Sequence, residues 1–305
     1  MSKHYLIFIH GIGELKANDR TALGYEKLWQ QLIKQSGLTA AEFNERFGRI
    51  EVIWHVDQLQ SAEATLSKTA FPDLNSSSWN PIDRIRSFMN FFIGDVAAYV
   101  SEDVNFIRRT VWNQIWNYCD PETNQTFPQL LESGATYSII AHSLGTVIAF
   151  DYLFDLFNPE SPKLFVPAPN VEKRPEDRQL TVQDHVSSAM ATETLQLLQK
   201  RFRHFFSMGS PIGLFLMRKG ALWAEGEPFA EAYNPVRREG RAWCNFWDSD
   251  DPIAYPLAKL FGKNIQNAEC KLLDIAVETG WILSAHVDYW KNRTVAKEIL
   301  RWIEE

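Results

Sequence analysis

Ser143 stands in "SIIAHSLGTVIAFDYL" (138–153), a polar His-Ser pair inside an otherwise apolar run. To its left, "TYSIIA" (136–141) has the β-branched and aromatic content of a buried strand. To its right, "LGTVIAFDYLFDLF" carries leucine, isoleucine and phenylalanine at helical spacing. A strand that becomes a helix within a residue or two needs a tight turn. The residues two before and two after the serine are small, Ala141 and Gly145, as such a turn requires where side chains would otherwise collide. The turn lifts the hydroxyl clear of the sheet edge and brings backbone N–H groups to the helix start. The chemistry this suits is nucleophilic attack, provided a base takes the serine proton and a carboxylate fixes that base in one tautomer.

Where a serine of this kind follows an α/β strand, the partners come later in the chain, acid first and histidine last. Of seven histidines, His185, His204 and His286 follow Ser143. His185 falls in a helical region before the fourth strand, and His204 opens that strand at the wrong end of the sheet. His286, in "SAHVDYW", comes after the last strand and before a helix over 294–303, where the base must stand. The acid should follow the strand ending at Trp247, and Asp248, Asp250 and Asp251 all qualify by position. Asp251 is preferred because Pro252 fixes the backbone as the chain turns; Asp248 and Asp250 read as turn or cap residues.

An acyl-transfer site also needs donors for the developing oxyanion, each worth about 2.7–4 kcal/mol in the transition state. One is the backbone N–H of Leu144, after the nucleophile. The other is expected from "HGIG" (10–13), where Gly11 and Gly13 permit close backbone approach and Ile12 supplies the N–H. His10 is read as bonding within that loop rather than moving protons. Ser210 is a rival serine, but Pro211 beside it has no N–H to donate.

These residues need elements to hold them. Apolar runs at 5–10, 50–56, 136–141, 204–209, 242–247 and 270–277 alternate with helical stretches. That pattern predicts a mostly parallel sheet covered by helices on both faces. Ligands then bind beyond the carboxyl ends of the strands, and "HGIG", the serine turn, "GSPIG" (209–213) and "DSDDPIAYP" (248–256) all sit there. Residues 57–133 carry an apolar stripe that includes Ile85, Phe92, Val96, Val100, Ile107 and Val111, and they predict a helical cap insert. Packing on the main domain is preferred over membrane contact for that stripe, and an acyl-chain pocket beneath it is the hypothesis it suggests. Residues 157–180, rich in proline and charge, read as a surface loop. The whole, 1–305, reads as a single domain.

With 45% hydrophobic and 23% charged residues, the chain has an ordinary globular balance. A net charge of −7 argues against a nucleic-acid partner, and the short basic clusters Arg108-Arg109 and Arg237-Arg238 read as solvated faces. Cys119, Cys244 and Cys270 cannot all pair and lack metal-ligand spacing, so free thiols in a reducing compartment are expected. The apolar run in "MSKHYLIFIHG" is too short for a signal peptide or a membrane span. A cytoplasmic location follows as the expectation, with no metal and no cofactor.

"AHSLGTVIAFDYL", "FFSMGSPIGLFLMRKG", "NFWDSDDPIAYPL" and "SAHVDYW", in that order, resemble the DDHD-domain intracellular phospholipase A1 family, as do "GDVAAYV" (94–100) and "FIHGIG" upstream. The resemblance runs from residue 5 to about 300. It implies an α/β-hydrolase fold that cleaves acyl-glycerol esters without calcium, with Ser143 as nucleophile, Asp251 as acid and His286 as base. Of the four residues that name the domain, Asp251, Asp274 and His286 are matched. Arg293 falls where the fourth, an acid, would stand, and Ala141 replaces the first glycine of the turn.

Together these readings predict a serine hydrolase acting on a lipid or (lyso)phospholipid acyl ester, with transient contact at a membrane surface as one further partner. A small-molecule esterase or thioesterase is the alternative within the same chemistry. A catalytically silent fold used for binding is the alternative outside it.

Overall fold

The computed structural model describes residues 2–11, 24–54, 104–157, 191–216, 240–260, 270–280 and 285–305. Along the chain these form β1 (His4–Ile9), α1 (Tyr25–Ser36), α2 (Ala40–Arg46), β2 (Phe47–Val52), α3 (Val104–Trp116) and α4 (Phe127–Glu132). There follow β3 (Thr136–His142), α5 (Leu144–Phe157), α6 (Ala191–Arg201), β4 (Phe202–Met208), α7 (Ile212–Leu216), β5 (Gly240–Trp247) and β6 (Cys270–Ala276). A short 3₁₀ turn (Asp288–Lys291) precedes α8 (Arg293–Glu304).

Why the strands read as continuous apolar runs is visible in β1. Tyr5, Ile7 and Ile9 enter one core, Leu6 and Phe8 the other, so both faces of the strand are buried. On one side, Ile7, Ile139, Phe205 and Trp243 pack with Ile107 and Val111 of α3, Phe127 of α4, Val147 of α5 and Leu198 of α6. On the other, Phe8, Phe206 and Phe246 pack with Leu28 of α1, Phe43 of α2 and Ile299 of α8. Each such side chain contributes about 1.5–3 kcal/mol through burial.

Among the described residues, six strands pair in the order β2-β1-β3-β4-β5-β6, every pair parallel. The chain runs outward from β1 to β2 and then crosses back to β3 on the other side of β1. The crevice between the carboxyl ends of β1 and β3 is the place where such sheets hold ligands.

Of the segment expected to form a cap, 57–133, the described part is 104–133, and α3 and α4 within it pack on the sheet. Ile107 and Val111 lie in the main core, and Gln114 of α3 clamps both backbone groups of Ile53, accepting from its N–H and donating to its carbonyl. Residues 55–103, and residues 158–180 of the segment expected to be a surface loop, lie outside the described residues. Arg108, expected on a solvated face, is instead largely covered: it pairs at 2.7 Å with Asp151 of α5, the two side chains 11% and 0% exposed. A buried carboxylate is costly unless a cation or several hydrogen-bond donors meet it, and a charge count along the sequence does not reveal that partner. Cys119 is a free thiol and exposed, and Cys244 is buried. Among the described residues no helix is long and apolar enough to cross a membrane.

Candidate active site

The transition from β3 to α5 is made by one residue. Ser143 has φ 53°, the left-handed region that non-glycine residues avoid, and it is fully buried. Its N–H donates to the Met208 carbonyl at 3.0 Å. Its carbonyl accepts from Thr146, both the N–H at 2.9 Å and the hydroxyl at 2.7 Å. Thus both backbone groups of the serine are fixed, while its Oγ has no hydrogen-bond partner among the described residues. Ser210, the rival, is committed: its hydroxyl lies 2.8 Å from Thr146 Oγ1 and accepts from the Ile212 N–H at 3.3 Å.

The turn after β1 meets the serine turn backbone to backbone. A side chain at Gly11 would bring Cβ to 2.3 Å from Ser143 Cβ and 2.8 Å from the Leu144 nitrogen. A side chain at Gly145 would come within 2.4 Å of the His10 carbonyl oxygen and 2.6 Å of that of Ile9. Gly145 is therefore small to admit the end of β1, a neighbour on the sheet, and not to relieve its own strand. Ala141 is buried and pairs with Ile9 on one side and Ser207 on the other. Leu144 opens α5, so its N–H has no partner within the helix. Ile12 and Gly13 lie outside the described residues. His10 is buried, its Nδ1 donating to the Gly11 carbonyl and its ring stacked on Trp54 at 5.3 Å.

Asp251 and His286 form a buried pair. His286 Nδ1 lies 2.9 Å from Asp251 Oδ2, with the carboxylate 0% and the imidazole 4% exposed. The same Oδ2 accepts from the Tyr289 hydroxyl at 3.0 Å, and Oδ1 accepts from the Ile253 N–H at 3.1 Å. Burial works to raise the Asp251 carboxyl, but His286 and these donors outweigh it and hold the group below its usual range. With Nδ1–H given to the carboxylate, Nε2 is the nitrogen left to accept a proton.

The loop that carries His286 is tied to the strands at several points. Asp248 Oδ2 accepts from the Thr279 N–H and hydroxyl at 2.6 and 2.7 Å, and the Thr279 hydroxyl also lies 2.7 Å from the Ala285 carbonyl. Asp248 Oδ1 accepts from the Asp250 N–H at 2.9 Å, so Asp248 shapes both its own turn and the later loop. Asp250 is exposed. His142, the residue before the serine, donates from Nε2 to the His286 carbonyl, the two rings 4.7 Å apart. Burial, first, and the neighbouring His286 push the His142 imidazole down to about 3, so it stays neutral. Gly209, at φ 55°, leaves room for the pair: a Cβ there would lie 3.0 Å from Asp251 Oδ2 and 3.2 Å from His286 Nδ1.

Asp274 stands one strand away from this pair. On β6 it accepts from Asn245 Nδ2 at 2.8 Å and from the N–H groups of Leu257 and Ala258 at 2.9 and 2.8 Å. It holds the chain that follows Asp251. Asn245 in turn accepts from Ser207, whose hydroxyl receives the Trp243 indole N–H, so one polar chain runs under β4, β5 and β6.

Sequence reasoning did not single out His142, Gly209, Thr279 or Tyr289 for the site. Tyr289 had a usable signal, three residues after His286 where one helical turn brings side chains to the same side. The others are placed by tertiary contacts. Among the described residues no group of three or more His, Cys, Asp or Glu could hold a metal ion. No protein-family model matches the chain, and no curated protein matches it.

Proposed function

We propose that this protein is a serine hydrolase of the α/β-hydrolase type that cleaves carboxylic esters through an acyl-enzyme. One observation carries the reading. A buried Asp–His pair, Asp251 and His286, is anchored through His142 to the turn where Ser143 is held at φ 53° with its Oγ unbonded among the described residues. In the proposed reaction Ser143 Oγ bonds to the ester carbonyl carbon as its proton passes to His286 Nε2. The imidazolium so formed is stabilised by Asp251. The negative charge on the former carbonyl oxygen is met by the N–H groups of Leu144 and Ile12. Collapse breaks the bond to the leaving alcohol, which takes the proton from His286. A water then repeats the sequence on the acyl-serine and restores the enzyme.

The substrate class rests on the resemblance in the sequence and is a lipid or (lyso)phospholipid acyl ester. Kinetics with p-nitrophenyl esters of increasing chain length, and with lysophospholipid below and above its micelle concentration, test this. Rates that rise with chain length and with micelle formation are expected. Ser143→Ala should lower turnover by about 10⁴-fold or more. Rates indifferent to both variables would point to a small-molecule esterase or thioesterase. Folded protein that hydrolyses no ester or thioester would point to a binding role.

A further inference from the structure

We infer that Tyr289 is a positioning residue for the Asp251–His286 pair, one that fixes the carboxylate by sharing the oxygen to which the histidine bonds. The inference rests on the proposed hydrolase reading for its kinetic consequence, but its geometry stands apart from that reading. Tyr289 is fully buried. Its hydroxyl accepts the Asp248 N–H at 2.9 Å, so the oxygen is held and the proton has one direction left to point. It points to Asp251 Oδ2, at 3.0 Å, the oxygen that His286 Nδ1 also reaches. With Oδ1 bonded to Ile253, neither carboxylate oxygen can rotate without losing a bond. Gly209 makes the arrangement possible, since a Cβ there would lie 2.9 Å from the Tyr289 ring edge.

The consequence for charge follows from bond counting. A carboxylate that loses a donor is harder to keep ionised and leans more heavily on those that remain. Tyr289 is among the groups that lower Asp251, and Asp251 in return pushes the phenol upward, after burial, so Tyr289 stays a donor. The titratable groups around the pair among the described residues are Asp248 after β5, His142 at the end of β3, His10 beyond it after β1, and Tyr289 itself.

Two variants test this. Tyr289→Phe keeps the ring and removes the hydroxyl, both the donor to Asp251 and the acceptor for the Asp248 N–H; 3-fluorotyrosine at position 289 keeps both bonds and makes the donor stronger. With Phe, kcat is expected to fall about 3–10-fold with KM unchanged, and the acid limb of kcat/KM to move to higher pH. With 3-fluorotyrosine that limb should move to lower pH. The downfield proton resonance of the His286–Asp251 bond, followed by NMR against pH, should shift in the same opposite senses without any need for turnover. A resonance and pH limb unchanged in both variants would overturn the inference. Should the Phe variant fail to fold, the 3-fluorotyrosine protein decides alone. If the resonance shifts as expected but the wild type hydrolyses no ester, the positioning role stands and the hydrolase reading falls.

Discussion

At the scale of single residues, the unusual features converge on one place. A non-glycine residue at positive φ is held against about 1–3 kcal/mol of strain, and Ser143 is held there by bonds to Met208 and Thr146. Its neighbour Gly11 leaves no room for a methyl group. Gly11→Ala should therefore displace the serine turn, with a loss of turnover far exceeding any loss of binding and a fall in Tm, measurable by kinetics and calorimetry on one preparation. Asp251→Asn probes the pair. An amide presents an N–H where His286 needs an acceptor, which favours the wrong tautomer, and kcat should fall about 10⁴-fold while the fold persists. Circular dichroism with steady-state kinetics would check this, and an unchanged kcat would remove Asp251 from the mechanism.

The elements explain what the sequence made legible. Strands appear as runs such as "YLIFIH" because both faces of a covered parallel sheet are apolar, and β1 sends alternate residues into two cores. The positions of Ser143 and Asp251 follow from those strands, because each lies just past a carboxyl end, and His286 lies in the segment between β6 and α8. Cross-strand relations were not legible. Nothing local to Asn245 or Asp274 says that they face each other at one register, and nothing near Arg108 says that Asp151 lies beneath it. Asp274 offers the test at this scale. It accepts from Asn245, Leu257 and Ala258, so Asp274→Ala leaves three donors without their acceptor and loosens the chain after Asp251. A loss of about 2–4 kcal/mol in denaturant unfolding is expected, with exchange of the Leu257 and Ala258 amides accelerated.

Across the whole molecule, two neutral histidines, His142 buried and His4 partly so, link stability to pH. His142 and His4 are both pushed down to about 3, burial being the largest cause in each. Below pH 6.5 the unfolded chain binds protons at these positions and the folded chain does not, so stability is full above that pH and falls as pH drops. Between pH 6.5 and 5 each group should contribute a slope of about 1 kcal/mol per pH unit. Urea titrations across that range, with His4→Gln and His142→Gln as comparisons, should show a shallower dependence in each variant. A stability that stays flat from pH 7 to 5 in the wild type would contradict the neutral state of both rings.

The proposed function depends on Ser143 being an activated nucleophile. The direct measurement is labelling with a fluorophosphonate probe, with mass mapping of the adduct in wild type, Ser143→Ala and His286→Ala. One adduct, on Ser143, is expected, and in the wild type alone. Folded wild-type protein that stays unlabelled, or an adduct that persists in Ser143→Ala, would contradict it.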